Sequence, residues 1–151
     1  MPWSKLNKLF IWMSVPSIVG FIDASFVALK SFRGEVVPCS IIKGCDIVLQ
    51  SVYSKMLGQP LALWGAVYYG IFILLITLFI VSENKVIIKI VLLLSLAGSF
   101  FSLWLIFIQL FIIKAVCLYC LVSAVSSFTL LYLSITADKT IRQAASNKHV
   151  F

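Results

Sequence analysis

Four long apolar stretches limit what this chain can fold into more than any other feature. They cover residues 9–29, 61–81, 86–113 and 115–137. Each has about the 20 residues that an α-helix needs to cross the hydrocarbon core of a bilayer. Together they predict an all-α integral membrane protein, a four-transmembrane-helix bundle. Composition agrees, with 62% of residues hydrophobic and 11% charged, where a soluble domain is roughly half apolar and a quarter charged.

The first run carries Pro16, expected to kink it, and Asp23 in its outer half. A carboxylate at membrane depth is costly and marks either function or an interface position. In the second run, Trp64, Tyr68 and Tyr69 suit the membrane interface. The third, about 28 residues long, must tilt or protrude. Its Gly98, Ser99 and Ser102 form a small-residue face for close helix packing.

Residues 30–60 form the only substantial polar segment between the runs, and 138–151 a polar tail. Asp46 can cap a helix. The spacing of Ile47, Val48, Val52, Tyr53, Met56 and Leu57 predicts about three turns of amphipathic surface helix, ended by Gly58 and Pro60. The net charge of +7 comes from short basic pieces beside the apolar runs. They read as membrane-lipid anchors and not as a nucleic-acid surface. The only histidine, His149, falls in the tail.

An even number of spans returns both termini to one side. The 30–60 loop and the turn at Lys114 then share the other side, and with them all four cysteines: Cys39, Cys45, Cys117 and Cys120. The basic residues divide seven to five in favour of the terminal side, which does not decide orientation. Disulfide chemistry belongs outside the cytoplasm. The expectation is therefore a multi-pass membrane protein with cytoplasmic termini and extracytoplasmic cysteines.

Cys117 and Cys120 stand in Cys-x-x-Cys spacing at the start of the fourth run, with Lys114 one turn earlier. Two thiols one turn apart can close into a disulfide, and a helix N-terminus stabilises a thiolate. Three readings compete. A zinc site would show paired Cys-x2–4-Cys knuckles in a soluble fold, and this chain lacks that pattern, so no metal is expected. Structural staples gain little where the bilayer already holds the helices. A redox relay between the loop pair and the late pair is the favoured reading.

The order Cys39-x5-Cys45-Asp46-Ile47-Val48-Leu49-Gln50-Ser51, then Gly58-Gln59-Pro60-x4-Gly65-x3-Tyr69, then Cys117-x2-Cys120 resembles the vitamin K epoxide reductase family, most closely its bacterial members. The likeness covers about residues 10–137. It implies a four-helix membrane catalytic domain over 1–137, built around a quinone and lidded by the extracytoplasmic loop and its short helix. It further implies that Cys120 faces the quinone, that Cys117 takes electrons from Cys45, and that Cys39 meets a thioredoxin-fold partner. Ser51 matches a family residue near the quinone.

Many bacterial relatives carry a fused thioredoxin-like domain. This chain has 14 residues after the last run, so a separate thioredoxin-fold protein is expected as partner. The animal enzymes hold vitamin K with an Asn and a Tyr, where this chain has Leu61 and Ala124. An apolar site there points to an ordinary respiratory quinone, ubiquinone or menaquinone. The expected function is thus quinone-dependent oxidation of a thioredoxin-fold partner that supports disulfide formation in exported proteins. The alternatives are a vitamin K quinone or epoxide reductase, and a non-catalytic membrane subunit with structural disulfides.

Overall fold

The structure, a computed structural model, describes residues 2–35, 37 and 44–148. Four long helices dominate: α1 (Pro2–Phe32), α3 (Leu61–Ser82), α4 (Lys85–Phe107) and α5 (Leu118–Lys148). All four are long and apolar enough to cross a membrane. Their outward faces carry large apolar side chains: Trp12 is 68% exposed, Leu93 67% and Phe100 74%. Such faces would be a liability in water and are the normal lipid-facing surface of a spanning bundle.

α1 packs against α3 and α5, and α5 packs against α4. The core at the terminal end holds Leu6, Phe10, Met13, Phe72, Phe79, Ile88 and Leu130. There Phe10 and Phe79 stack with ring centroids 3.8 Å apart. The small-residue stretch of α4 is used as its composition suggested: Ser99 is buried and its hydroxyl donates to the Ser127 carbonyl of α5 at 3.2 Å. Asn84 caps α4, its side chain accepting the Val86 N–H at 2.9 Å.

Several boundaries differ from those expected of the sequence. α1 begins at Pro2, because Leu6 and Phe10 are already core residues, and it runs through Pro16 without a break. α5 continues past residue 137 to Lys148. No Gly or Pro interrupts 138–148, and Asp138 pairs with Arg142 one turn on at 2.6 Å. The third span is not a single α-helix. After Phe107 it widens into a π-helical segment, Ile108–Ile113, and stops at Lys114 in the left-handed conformation. α5 then starts at Leu118 and not at 115.

The lid is also rearranged. The helix α2 covers only Cys45–Gln50. Ser51 turns extended, a 3₁₀ turn follows over Val52–Ser54, and β1 (Lys55–Met56) pairs antiparallel with β2 (Gln59–Pro60). Leu57 and Gly58 form the hairpin turn with φ of 54° and 78°. The three-turn helix is therefore one short helix and a hairpin. Val52 is 91% exposed and Leu57 82%, so the helical spacing of those apolar residues does not mark a buried face.

Candidate functional site

Cys117 is the last residue before α5, and Cys120 lies in its first turn; the Leu121 N–H bonds the Cys117 carbonyl at 3.1 Å. The free backbone N–H groups of a helix start point at whatever precedes it. Here the N–H groups of Tyr119 and Cys120 reach the Cys117 sulfur. Both cysteines are free thiols. A hydrogen bond from the Cys120 side chain, then those two amides, hold Cys117 down to about 7 from the ordinary thiol value of 9.0, against burial and the charge of Asp23. The Cys117 thiol is thus held more acidic than an ordinary cysteine.

Cys45 opens α2. It is disulfide-bonded, and since Cys117 and Cys120 are free its bridge is to neither of them. Cys45 and Cys117 are both completely buried and belong to one small cluster with Val48, against which Leu49, Ile113 and Cys120 pack. The lid therefore seats its cysteine on the Cys-x-x-Cys turn. Cys39 lies outside the described residues.

On the other side of that turn is a cavity of about 420 Å³, lined by residues of all four spans and the lid. Its wall includes Cys120 but not Cys117. Cys117 is thus buried with the lid cysteine, while Cys120, which packs against the same cluster, also reaches the cavity wall. Val27, Leu49, Leu94, Phe101 and Leu105 make much of the wall apolar. Ser51 and Leu61 are in its wall. Ala124 is buried but is not in the wall; the same helix presents Ser123 and Ser127 there instead.

Polar wall residues also come from positions the sequence reading assigned elsewhere or passed over. Tyr69, read as an interface aromatic, is buried; its hydroxyl donates to the Ser123 carbonyl at 2.7 Å and contacts the Ser123 and Ser127 hydroxyls at 3.0 and 3.1 Å. Asp23 also lines the cavity, half-buried, with no hydrogen bond or ion pair among the described residues. Gln109, within the π-helical segment, is buried and lines the cavity near Cys120. A lone Gln in a long apolar run was the available signal for it. The wall is therefore less apolar than Leu61 alone implied, but the Tyr69 proton is committed to Ser123.

The sequence model of the Vitamin K epoxide reductase family matches residues 11–135. No individual curated protein sequence matches the chain significantly. Members of that family are helical membrane oxidoreductases linked to quinones. The match spans all four helices, the lid and the Cys-x-x-Cys turn, and the chain belongs to the vitamin K epoxide reductase family.

Proposed function

We propose that this protein is a quinone-dependent thiol oxidase that reoxidises a separate thioredoxin-fold protein, which in turn introduces disulfides into exported proteins. Its membrane would be the bacterial inner membrane, with both termini cytoplasmic and the cysteines outside. The observation that carries this reading is the division of one dithiol between two neighbours: Cys117 against the disulfide-bonded Cys45, and Cys120 in the cavity wall.

The cavity suits a quinone. Its size is within the range of small-molecule sites, about 300–1,000 Å³, and its wall is apolar with a few polar groups. Leu49, Leu61, Phe101 and Leu105 would hold the ring and tail, and Ser123 would offer a hydroxyl, the Ser51 hydroxyl being donated to the Val48 carbonyl at 2.6 Å. A bound quinone supplies an acceptor for two electrons and two protons.

The chain's own steps are thiol–disulfide exchanges. A thiolate of the partner attacks Cys39 of a Cys39–Cys45 bridge, and Cys45 leaves. The partner's second thiol resolves that mixed disulfide and the partner departs oxidised. Cys45 then attacks Cys117 of the Cys117–Cys120 bridge, Cys120 leaves, and Cys39 resolves the new bond to release Cys117. The transfer leaves Cys45 oxidised and Cys117 and Cys120 reduced. Re-forming the Cys117–Cys120 bond releases two electrons and two protons, the number the acceptor takes up.

Anaerobic turnover tests the reading. Purified protein, a reduced thioredoxin-fold partner and added quinone should consume one quinone for each partner disulfide formed. Protein with all four cysteines intact that consumes none would refute it.

A further inference from the structure

We propose that Gln109 is the hydrogen-bond donor that receives the Cys120 sulfur as it leaves as a thiolate, when Cys45 opens the Cys117–Cys120 disulfide. The inference rests on the electron path proposed above and assigns a residue to one step in it. Gln109 is 4% exposed and sits at the second position of the π-helical segment Ile108–Ile113. Its two ends engage both cysteines of the pair. Oε1 accepts the Cys117 N–H at 3.4 Å, and the side chain also hydrogen-bonds the Cys120 thiol. With the oxygen turned to the Cys117 backbone, the NH₂ end is the one that faces the Cys120 sulfur.

A purely structural role does not account for this side chain. The turn between α4 and α5 is closed by the main chain of Gln109, whose carbonyl accepts the N–H groups of Lys114 and Ala115. Any residue could supply that carbonyl. A carboxamide in an otherwise apolar segment costs free energy unless its hydrogen bonds are made, and the bonds it makes are to the reacting pair. Irregular π turns inside helices recur at functional sites. Here the wider turn brings residue 109 of α4 over the first turn of α5.

The step balances within the chain. The Cys45 thiolate forms a bond to the Cys117 sulfur, the Cys117–Cys120 bond breaks, and the electron pair departs with Cys120. A donor already aimed at that sulfur stabilises charge where it develops, without reorganisation. The same contact then holds the Cys120 thiol at the cavity wall.

The test uses the full chain and neither quinone nor partner. In the Cys39→Ser background a single loop thiol, Cys45, attacks Cys117 within the molecule and frees Cys120, whose appearance is read by alkylation and mass. Adding Gln109→Met keeps the side-chain length and removes the donor; release of Cys120 should slow about tenfold or more. Alkylation of Cys117 in the Cys120→Ala background, which involves no leaving Cys120, should be unchanged by Gln109→Met. Equal slowing of both reactions would show a misplaced turn and overturn the proposal, as would no slowing of either. If Gln109→Met does not fold, the isosteric Gln109→Glu decides: it should also slow release, and a wild-type rate would overturn the assignment. A wild-type protein that consumed no quinone would sink the proposed function while leaving this assay to decide Gln109.

Discussion

Gly44 lies so close to Val116 that a Cβ on it would sit 2.9 Å from the Val116 carbonyl oxygen and 3.2 Å from its nitrogen. Each of these residues immediately precedes a cysteine of the proposed relay, Cys45 and Cys117. The contact is therefore what brings the lid cysteine down to the Cys-x-x-Cys turn. Backbone is the obstacle, and backbone does not swing aside as a long side chain can.

Gly44→Ala should consequently lift the lid. Overpacking of this kind costs about 1–3 kcal/mol. Misplacing a reacting group by an ångström can cost about a hundredfold in rate. Single-turnover transfer from the loop pair to the Cys117–Cys120 disulfide should slow by about tenfold to a hundredfold, while alkylation of reduced Cys117 should not slow. An unchanged transfer rate would show that the lid is not seated through Gly44.

The acidity of Cys117 gives a pH test. Its alkylation by a small neutral reagent should rise through about pH 7, against 9.0 for an ordinary thiol. Because the Cys120 side chain is the largest cause, Cys120→Ala should move the midpoint upward. For stability the sign is that of a depressed acid: the Cys117 contribution is present in full above the unfolded thiol value and is lost as pH falls through about 7. A midpoint near 9 in the parent protein would contradict the hydrogen-bonded arrangement.

Tyr69 and Gly20 make a linked pair. A Cβ on Gly20 would fall 2.4 Å from the Tyr69 ring. In an open helix Gly→Ala stabilises by about 1 kcal/mol. Here Gly20→Ala should instead destabilise, because the ring is buried and its hydroxyl is held by Ser123 and Ser127. Tyr69→Phe, which strands those partners, should cost about 1–3 kcal/mol. Thermal unfolding in detergent checks both, and a more stable Gly20→Ala would show that the ring has room to move.

The proposed orientation puts the lid outside. An impermeant thiol reagent added to intact cells after reduction should label Cys39. Labelling only after lysis would place the cysteines in the cytoplasm and defeat the orientation.

The spans were legible because a continuous apolar run of that length has few other uses. Cys117 and Cys120 were legible because their spacing and their place at a helix start carry the chemistry locally. The lid was not. The apolar residues from Ile47 to Leu57 recur at helical spacing, yet the chain leaves the helix at Ser51 and turns at Leu57–Gly58. Gly58 and Pro60 belong to a hairpin, not to a helix end. The cavity wall includes Leu61, and on α5 it includes Ser123 and not its neighbour Ala124, since counting along a sequence does not fix which side of a helix faces inward. Gln109 stands out in the sequence as a lone amide in an apolar run and Tyr69 as a motif residue, but their place in the wall comes from packing: the first depends on a π turn that no periodicity announces, and the second on Gly20 opposite it.

The central claim is that the two thiols of the Cys-x-x-Cys serve different sides, and disulfide mapping tests it most directly. The double variant Cys39→Ser/Cys120→Ser leaves Cys45 and Cys117; Cys39→Ser/Cys117→Ser leaves Cys45 and Cys120. Under mild oxidation, peptide mass spectrometry should find a Cys45–Cys117 bond forming readily in the first and little or no Cys45–Cys120 bond in the second. A Cys45–Cys120 bond forming as fast as Cys45–Cys117 would contradict the account.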